Sequence, residues 1–135
     1  DKKFILNIDN HKNPIKTSKS QEIIYGLRNF IGNANKFSNK RVDIFLKSNN
    51  NETEIIIKDD GPGFPKDLID KSRLGEPYIR TKDSNHISKH GLGLGTFIGK
   101  TLLERNLAKI FFKNVEPKGA EVKIKWSNKD LKKIN

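Results

Sequence analysis

The chain has 135 residues, a formal net charge of +11, and neither cysteine nor methionine. This length suits one compact domain with a buried core, and the missing cysteines exclude disulfides, thiolate metal sites and cysteine nucleophiles. No apolar run approaches the roughly 18 residues that a membrane-spanning helix needs. The lysines are spread along the whole chain among many Asn and Ile residues, which indicates a compositional bias rather than a nucleic-acid-binding surface.

The first sixty residues predict a strand, a helix and two further strands. Apolar residues alternate with polar ones over residues 3–9, which predicts a half-buried strand, and a polar connector follows over residues 11–20. Apolar residues between Ile23 and Ala34 recur at steps of three and four, as in an amphipathic helix. One alternating strand is predicted over residues 42–46 and a more buried one over residues 55–57, with a hairpin turn at residues 48–51 between them.

The rest of the chain predicts a long loop, a second helix and two strands. Residues 59–93 are rich in Gly, Pro and charge, and irregular segments of that length are usually functional. Apolar residues on one side predict a helix over residues 94–106, and two strands follow over residues 110–112 and 121–126. We expect the tail from Ser127 to fray. The sequence shows no internal repeat and no second domain, so residues 1–135 are expected to form a single domain.

One face of the first helix is polar in a way that has two explanations. At 100° per residue, Asn29, Asn33 and Lys36 fall within a narrow arc, and Gly26 and Gly32 flank it, which would leave backbone uncovered by side chains. Most such stripes are simply solvated. Asn is a mediocre helix former, however, and its amide oxygen can ligate a hard cation while a nearby Lys meets a phosphate. Both explanations remain open from this helix alone.

A carboxylate and two glycines follow the buried strand. Asp59 could accept a hydrogen bond from an exocyclic amine, while Gly61 and Gly63 let a flat ring approach the backbone. The alternative is an ordinary tight turn, because Asp-Gly and Gly-Pro pairs are typical of turns.

A second glycine-rich segment, Gly91-Leu92-Gly93-Leu94-Gly95, opens the second helix. Unpaired backbone amides at the start of a helix attract phosphate. The segment is not a phosphate-binding loop of the Gly-Lys-Ser/Thr type, and it lacks the strand and the acidic partner of a dinucleotide-binding fold. A hinge without a ligand is the alternative.

The order of these segments resembles the histidine-kinase ATPase domain, of the group shared with gyrase, Hsp90 and MutL. NxxxNAxK on a helix is followed by DxGxG after a strand, GxGxG before a helix, and a late Gly119-Ala120 pair, and the resemblance covers residues 3–126. The segments EIIYGLRNFIGNANKFS, LGEPYIRTK and GLGLGTFIGKTLLERN are similar to the RegB/PrrB redox-responsive sensor kinases. The resemblance implies a Bergerat-type α/β two-layer sandwich, with a mixed sheet of about five strands covered on one face by about three helices.

The resemblance also implies roles for single residues. Asn33 would ligate Mg²⁺, supported by Asn29 and Lys36, and Asp59 would accept the adenine amino group. Phe37 would pack against the adenine, and Gly61 and Gly63 would leave room for the ring. The other residues that the resemblance assigns to the nucleotide belong to a lid over residues 74–95 and its glycine hinge, and they are Tyr78, Arg80, Lys82, Gly91, Gly93, Leu94 and Gly95.

The implied function is that of a protein-histidine kinase catalytic domain, which binds ATP with Mg²⁺ and passes the γ-phosphate to a histidine on a separate dimerisation domain. Gyrase, Hsp90 and MutL carry a glutamate at position 29 that activates water, whereas an amide cannot take a proton at neutral pH. Asn29 therefore disfavours hydrolysis. An ATP-hydrolysing relative and a basic nucleic-acid-binding module are the two alternatives, and no nucleic-acid partner is expected.

None of the three histidines fits the phospho-acceptor. His11 precedes Pro14 in a predicted turn and lies too close to Asn29, while His86 and His90 fall in the predicted lid. We therefore expect a fragment of a longer, membrane-anchored bacterial kinase, with this domain in the cytoplasm and a response regulator downstream. The acceptor histidine and sensor would lie upstream, and the fragment alone would not autophosphorylate.

Overall fold

The computed structural model describes residues 2–9, 20–70 and 94–134. In these residues the chain forms five strands and four helices. The strands are β1 (Lys3–Asp9), β2 (Arg41–Ser48), β3 (Glu52–Asp59), β4 (Lys109–Asn114) and β5 (Ala120–Ser127). The helices are α1 (Gln21–Phe37), α2 (Lys66–Asp70), α3 (Leu94–Arg105) and α4 (Asn128–Lys133).

The strands form one mixed sheet in the order β1-β2-β3-β5-β4, which confirms the predicted fold class. β1 pairs with β2 in parallel, and every other pair is antiparallel. The register aligns Ile44, Ile57, Val122 and Phe112 in one row across four strands. Because side chains alternate between the two faces of a strand, these four residues lie on the same face of the sheet, under the helices.

Helix α1 covers that face of the sheet with its own apolar side. The Ser20 side chain caps its start by accepting from the Ile23 amide at 3.3 Å. Phe30 is 2% exposed and packs in the core with Ile57, which is 1% exposed. Burying an aromatic or branched side chain of this size stabilises a fold by about 1.5–3 kcal/mol, so the helix is held mainly by these contacts.

The two long helices cross with their backbones in close approach at two glycines. A Cβ atom at Gly26 would lie 2.6 Å from Leu103 Cγ, and one at Gly99 would lie 2.9 Å from Phe30 Cε2 and 3.2 Å from the Gly26 oxygen. The expectation that Gly26 leaves backbone uncovered is therefore wrong, because α3 covers it. Gly32 has nothing within 4 Å of its Cβ position, as expected of an open backbone.

The chain end differs from the fraying tail that we expected from Ser127. Ser127 caps a helix, α4, by accepting from the Asp130 amide at 3.1 Å. Leu131 is buried in the core, and the Asn128 side chain bonds to Thr53 Oγ1 at 2.8 Å and to the Asn49 oxygen at 2.7 Å. The tail is thus fixed by tertiary contacts with the β2–β3 hairpin, which local periodicity does not reveal.

The predicted loop over residues 59–93 contains the short helix α2 at its start. The rest of that loop, from residue 71, and the connector over residues 10–19 lie outside the described residues, and so do all three histidines. Within the described part of the chain, no helix is long and apolar enough to cross a membrane.

Helix α3 ends in a left-handed residue that is not glycine. Leu107 has φ 71° and is 45% exposed. The Ala108 amide donates to the Leu103 oxygen and the Leu107 amide to the Glu104 oxygen, both at 3.0 Å, which is the pattern of a C-terminal cap that glycine usually occupies. The Cβ atom of an L-residue is strained in this conformation.

We expect Leu107→Gly to raise the free energy of unfolding by about 0.5–1 kcal/mol, because glycine relieves the strain at positive φ. Urea unfolding followed by circular dichroism measures the change. Leu107→Ala is the matched control, since it removes the exposed side chain but keeps the Cβ atom. An equal gain in both variants would show that side-chain exposure, not backbone conformation, limits stability here.

Candidate functional site

A pocket of about 510 Å³, its open mouth included, lies between α1, the end of β3 and the start of β5. Apolar walls with a few polar groups are typical of small-molecule sites. Four of the predicted site residues line it together: Asn33, Phe37, Asp59 and Gly63. The other lining residues, not assigned from the sequence, are Phe30, Ala34, Ile57, Phe64, Pro65, Thr96, Ala120 and Val122.

Asp59 is the acidic group of this pocket. Its Oδ1 accepts from the Gly61 amide at 2.9 Å, and the Ala120 amide also bonds to the carboxyl group. Burial raises the pKa of Asp59 above its usual value, against the opposing effects of those two hydrogen bonds and of the positive charge on Lys2. The carboxyl group is thus held in a fixed orientation at the floor of an apolar cavity, where it can accept a hydrogen bond from a ligand.

The glycines around Asp59 are required by close contacts within the protein. A Cβ atom at Gly61 would lie 2.1 Å from the Phe37 oxygen, and one at Gly119, with φ 127°, would lie 2.2 Å from the Asp59 oxygen. Gly63 has φ 89°, and a Cβ atom there would lie 2.7 Å from Asn114 Oδ1. The predicted role of Gly61 and Gly63, to leave room for a flat ring, stays a prediction. The contacts show an independent reason for both glycines.

The neighbouring carboxylate, Asp60, binds backbone amides of the turn between α1 and β2. Its side chain accepts from the amides of Asn39, Lys40 and Arg41, at 2.8, 3.1 and 3.3 Å to Oδ1. Desolvation acts to raise the pKa of Asp60, but these backbone hydrogen bonds outweigh it and lower that pKa. Asp60 therefore fixes the turn between α1 and β2, while Asp59 faces the pocket.

One side of the pocket is formed by Phe64, which is held in place by two residues of β4. Phe64 packs edge-on against Phe112, with ring centroids 5.7 Å apart. The Asn114 side chain accepts from the Phe64 amide at 2.7 Å and donates to the Phe64 oxygen at 3.1 Å. The position of Phe64 directly after Gly63 was a usable sequence signal, whereas nothing local connects Asn114 with residues fifty positions earlier.

The polar arc of α1 presents two amide groups with defined orientations. Asn29 Nδ2 donates to the Tyr25 oxygen at 2.8 Å, and Asn33 Nδ2 donates to Thr96 Oγ1 at 3.2 Å. A Cβ atom built on Gly95 would lie 3.6 Å from Asn29 Oδ1, 3.7 Å from Asn33 Oδ1 and 3.9 Å from Asn33 Nδ2. The two amide groups therefore border the same space beside the start of α3, which favours a ligand face over a purely solvated one.

Lys36 is the cation of this arc. It is exposed, and its Nζ lies 5.5 Å from the centroid of the Phe37 ring. Such a cation–π contact keeps the ammonium group beside an aromatic residue that lines the pocket, where an anion could meet it.

The donor set of the arc fits Mg²⁺ held together with phosphates. Among the residues that the structure describes, no group of three or more His, Cys, Asp or Glu side chains is placed to hold a metal ion. Mg²⁺ is commonly bound by one or two protein oxygens, with substrate phosphates and water completing its shell. Neutral amide oxygens at Asn29 and Asn33 satisfy that requirement without repelling a phosphate.

The predicted lid lies outside the described residues. This applies to Tyr78, Arg80, Lys82, Gly91 and Gly93, whose assigned roles stay predictions. Leu94 and Gly95 form the first residues of α3, and the backbone of Gly95 faces the two asparagine oxygens as described above.

Comparison with known proteins agrees with this architecture. The sequence profile described as "Histidine kinase-, DNA gyrase B-, and HSP90-like ATPase" matches residues 19–130. The chain is 41% identical over 98 residues to sensor histidine kinase RegB of Cereibacter sphaeroides, covering 69% of this chain and 21% of RegB. It is 36% identical over 88 residues to histidine protein kinase SaeS of Staphylococcus aureus, covering 62% of this chain and 24% of SaeS. The chain thus spans about a fifth of the length of RegB.

Two solved structures have the same fold. The mycobacterial sensor histidine kinase MprB superposes with a TM-score of 0.70 at 22% identity, covering 93% of this chain and 80% of that one. Full-length ShkA, solved in complex with AMPPNP, superposes with a TM-score of 0.71 at 21% identity, covering 92% of this chain and 25% of that one.

The two adjacent carboxylates should respond to pH in opposite directions. Because the native pKa of Asp59 is raised, the folded state binds its proton more tightly than the unfolded state does. Asp59 therefore costs the wild type stability as pH rises from about 4 through the raised pKa. The free energy of unfolding of Asp59→Asn, minus that of the wild type, should increase through this window. Urea unfolding at a series of pH values measures it.

Asp60→Asn is the matched control. In the wild type, the native pKa of Asp60 is lowered. The stability that Asp60 contributes is therefore present above about pH 4 and is lost as pH falls through the lowered pKa. The difference between Asp60→Asn and the wild type should therefore become more negative as pH rises. Slopes of the same sign for both variants would contradict the assignment of these two environments.

Proposed function

Because the chain belongs to the histidine kinase-, DNA gyrase B- and HSP90-like ATPase family, we propose that it binds Mg-ATP in the pocket between α1, β3 and β5 and donates the γ-phosphoryl group to a histidine on a separate domain. The chain is an ATP-binding catalytic domain of the sensor-histidine-kinase type. The observation that carries the proposal is that a half-buried, oriented Asp59 and the amide of Asn33 line one pocket. The pocket thereby combines a hydrogen-bond acceptor for a base with an oxygen ligand for a metal ion.

The base would occupy the apolar part of the pocket. Phe37 and Phe64 line it, and an aromatic wall suits a flat purine ring. An ionised carboxylate only accepts hydrogen bonds, so Asp59 selects a base with an amino group over one with a carbonyl at the same place. Since the Gly61 and Ala120 amides fix the carboxyl group, little orientational entropy is lost when the base binds.

The phosphates would extend toward the polar arc of α1 and the start of α3. Asn33 would hold Mg²⁺, with Asn29 and Lys36 in support, and the bound metal would neutralise charge on the phosphates during transfer. The backbone at Gly95 leaves the space beside both amide oxygens open. The proposal keeps Gly61 and Gly63 at the base. Tyr78 would belong to the lid, and Arg80 and Lys82 would meet the γ-phosphate. Gly91, Gly93 and Gly95 would form the hinge and present amides to the phosphates, with Leu94 beside the nucleotide.

Phosphoryl transfer depends mainly on positioning and charge neutralisation, and this domain supplies both without a general base. The Asn29 amide is not basic at neutral pH, and it bonds to the Tyr25 oxygen of its own helix. We therefore propose that the acceptor histidine lies on a dimerisation domain of the same protein, and that a response regulator takes the phosphoryl group next. The parent would be a membrane-anchored kinase with this domain in the cytoplasm.

Ligand-induced thermal stabilisation tests the nucleotide site. At a concentration of 100 times Kd, Mg-AMPPNP should add about 2.7 kcal/mol, which is a rise in Tm of roughly 8–10 °C for a chain of this size. Asp59→Asn should abolish this rise, and Asn33→Ala should keep a smaller rise that no longer depends on Mg²⁺. Asp60→Asn serves as the control that retains the full rise. An unchanged rise in Asp59→Asn would remove the assigned base contact.

Incubation with γ-labelled Mg-ATP separates kinase from hydrolase. The domain alone should release inorganic phosphate no faster than buffer, because Asn29 cannot activate water. With the purified dimerisation domain of the parent protein added, label should appear on that domain in an acid-labile, alkali-stable form, as expected of phosphohistidine. Steady phosphate release by the isolated domain would instead favour an ATP-hydrolysing relative.

A further inference from the structure

A buried threonine from α3 bonds to the predicted metal-binding amide of α1. Thr96 is 1% exposed, lines the pocket, and accepts a hydrogen bond on Oγ1 from Asn33 Nδ2 at 3.2 Å. The two residues are 63 positions apart in the chain, so only the packing of α3 on α1 brings them together. Thr96 was not among the residues that the sequence singled out.

This contact anchors the Asn33 amide between the two helices. An Asn side chain carries one acceptor oxygen and one donor NH₂ group, and Thr96 Oγ1 accepts from the NH₂ group of Asn33. The Tyr25 oxygen, an acceptor only, faces Nδ2 of Asn29. Both amide groups lie near Gly95, whose Cβ position is 3.6 Å from Asn29 Oδ1 and 3.7 and 3.9 Å from Asn33 Oδ1 and Nδ2.

We propose that Thr96 is a positioning residue, which holds the Asn33 side chain in place beside the metal site. This inference rests on the proposed Mg-ATP function. The Asn33 side chain must keep its oxygen within reach of the metal, because only the oxygen binds a hard cation. The hydrogen bond to Thr96 restricts rotation of that side chain before nucleotide arrives. Such preorganisation by a supporting hydrogen bond is a general means of tuning metal sites.

A packing role alone would explain the position less well. An apolar residue of the same shape could fill the space between the helices, and a buried hydroxyl is costly unless it is hydrogen-bonded. Thr96 also follows Gly95 directly, so the hydroxyl and the open backbone beside the two oxygens belong to the same turn of α3. The orientation of Asn33 is thereby linked to the place of this turn.

The test is titration calorimetry of AMPPNP with Thr96→Val, which keeps the side-chain shape and removes the hydroxyl. Loss of one hydrogen bond of ordinary strength should weaken binding about five- to tenfold in the presence of Mg²⁺. Binding in EDTA should change less than about twofold, because the base contacts at Asp59 are untouched. Thr96→Ser, which restores a hydroxyl, should bind like the wild type under both conditions.

A double-mutant cycle supplies the second criterion. In an Asn33→Ala background, Thr96→Val should have no further effect on Mg²⁺-dependent binding. Ligand-free melting checks folding of each variant, and Thr96→Ala, which adds no atoms, takes the place of Thr96→Val if that variant does not fold.

The outcomes separate the two proposals. Equal weakening with and without Mg²⁺, or additive effects in the cycle, would overturn the positioning role and leave the Mg-ATP function standing. A wild-type domain whose AMPPNP affinity does not depend on Mg²⁺ would overturn the metal role of Asn33 and, with it, the role of Thr96. A wild-type domain that does not bind AMPPNP would overturn both.

Discussion

The end of β3 is in backbone contact with two other segments, and the functional geometry depends on this convergence. Gly61 lies against the Phe37 carbonyl at the end of α1, and Gly119 lies against the Asp59 carbonyl from the start of β5. Side chains larger than hydrogen at these two positions would force the segments apart. Since the pocket lies among these same three segments, their close approach sets both the depth of the pocket and the direction of the Asp59 carboxyl group.

Asp59 and Asp60 are adjacent carboxylates whose different surroundings suit them to different roles. Asp59 is half-buried and its pKa is raised by burial, while Asp60 is bound by three amides of the turn between α1 and β2 and its pKa is lowered. The first group is available to a ligand because its hydrogen bonds orient it without covering it. Asp60 stabilises the pairing of β2 with β3, the strand that ends at Asp59, because it fixes the start of β2 beside β3.

The polar end of the site is assembled between helices rather than on one of them. The close crossing at Gly26 and Gly99 brings α3 near enough for Thr96 to reach Asn33. Without that crossing, the Asn33 amide would lose its contact with Thr96, whereas Asn29 would keep its bond to the Tyr25 oxygen of its own helix. The proposed base end of the site depends on strand pairing and the proposed phosphate end on helix packing. The orientation of the two helices over the sheet therefore decides the distance between these two ends.

The sequence by itself determined the five strands and the two long helices, their order, the family and the two residues, Asp59 and Asn33, that meet at the pocket. Those features are carried by local periodicity and by motifs with fixed spacing, both of which can be read along the chain. Tertiary structure decided what Gly26 and Gly61 contact, why the tail after Ser127 forms a helix, and which residues orient the site. Each of these depends on atoms from distant parts of the chain, and one-dimensional patterns contain no information on such distances. A glycine that packs against a backbone and one that faces a ligand look identical until the fold brings their neighbours together.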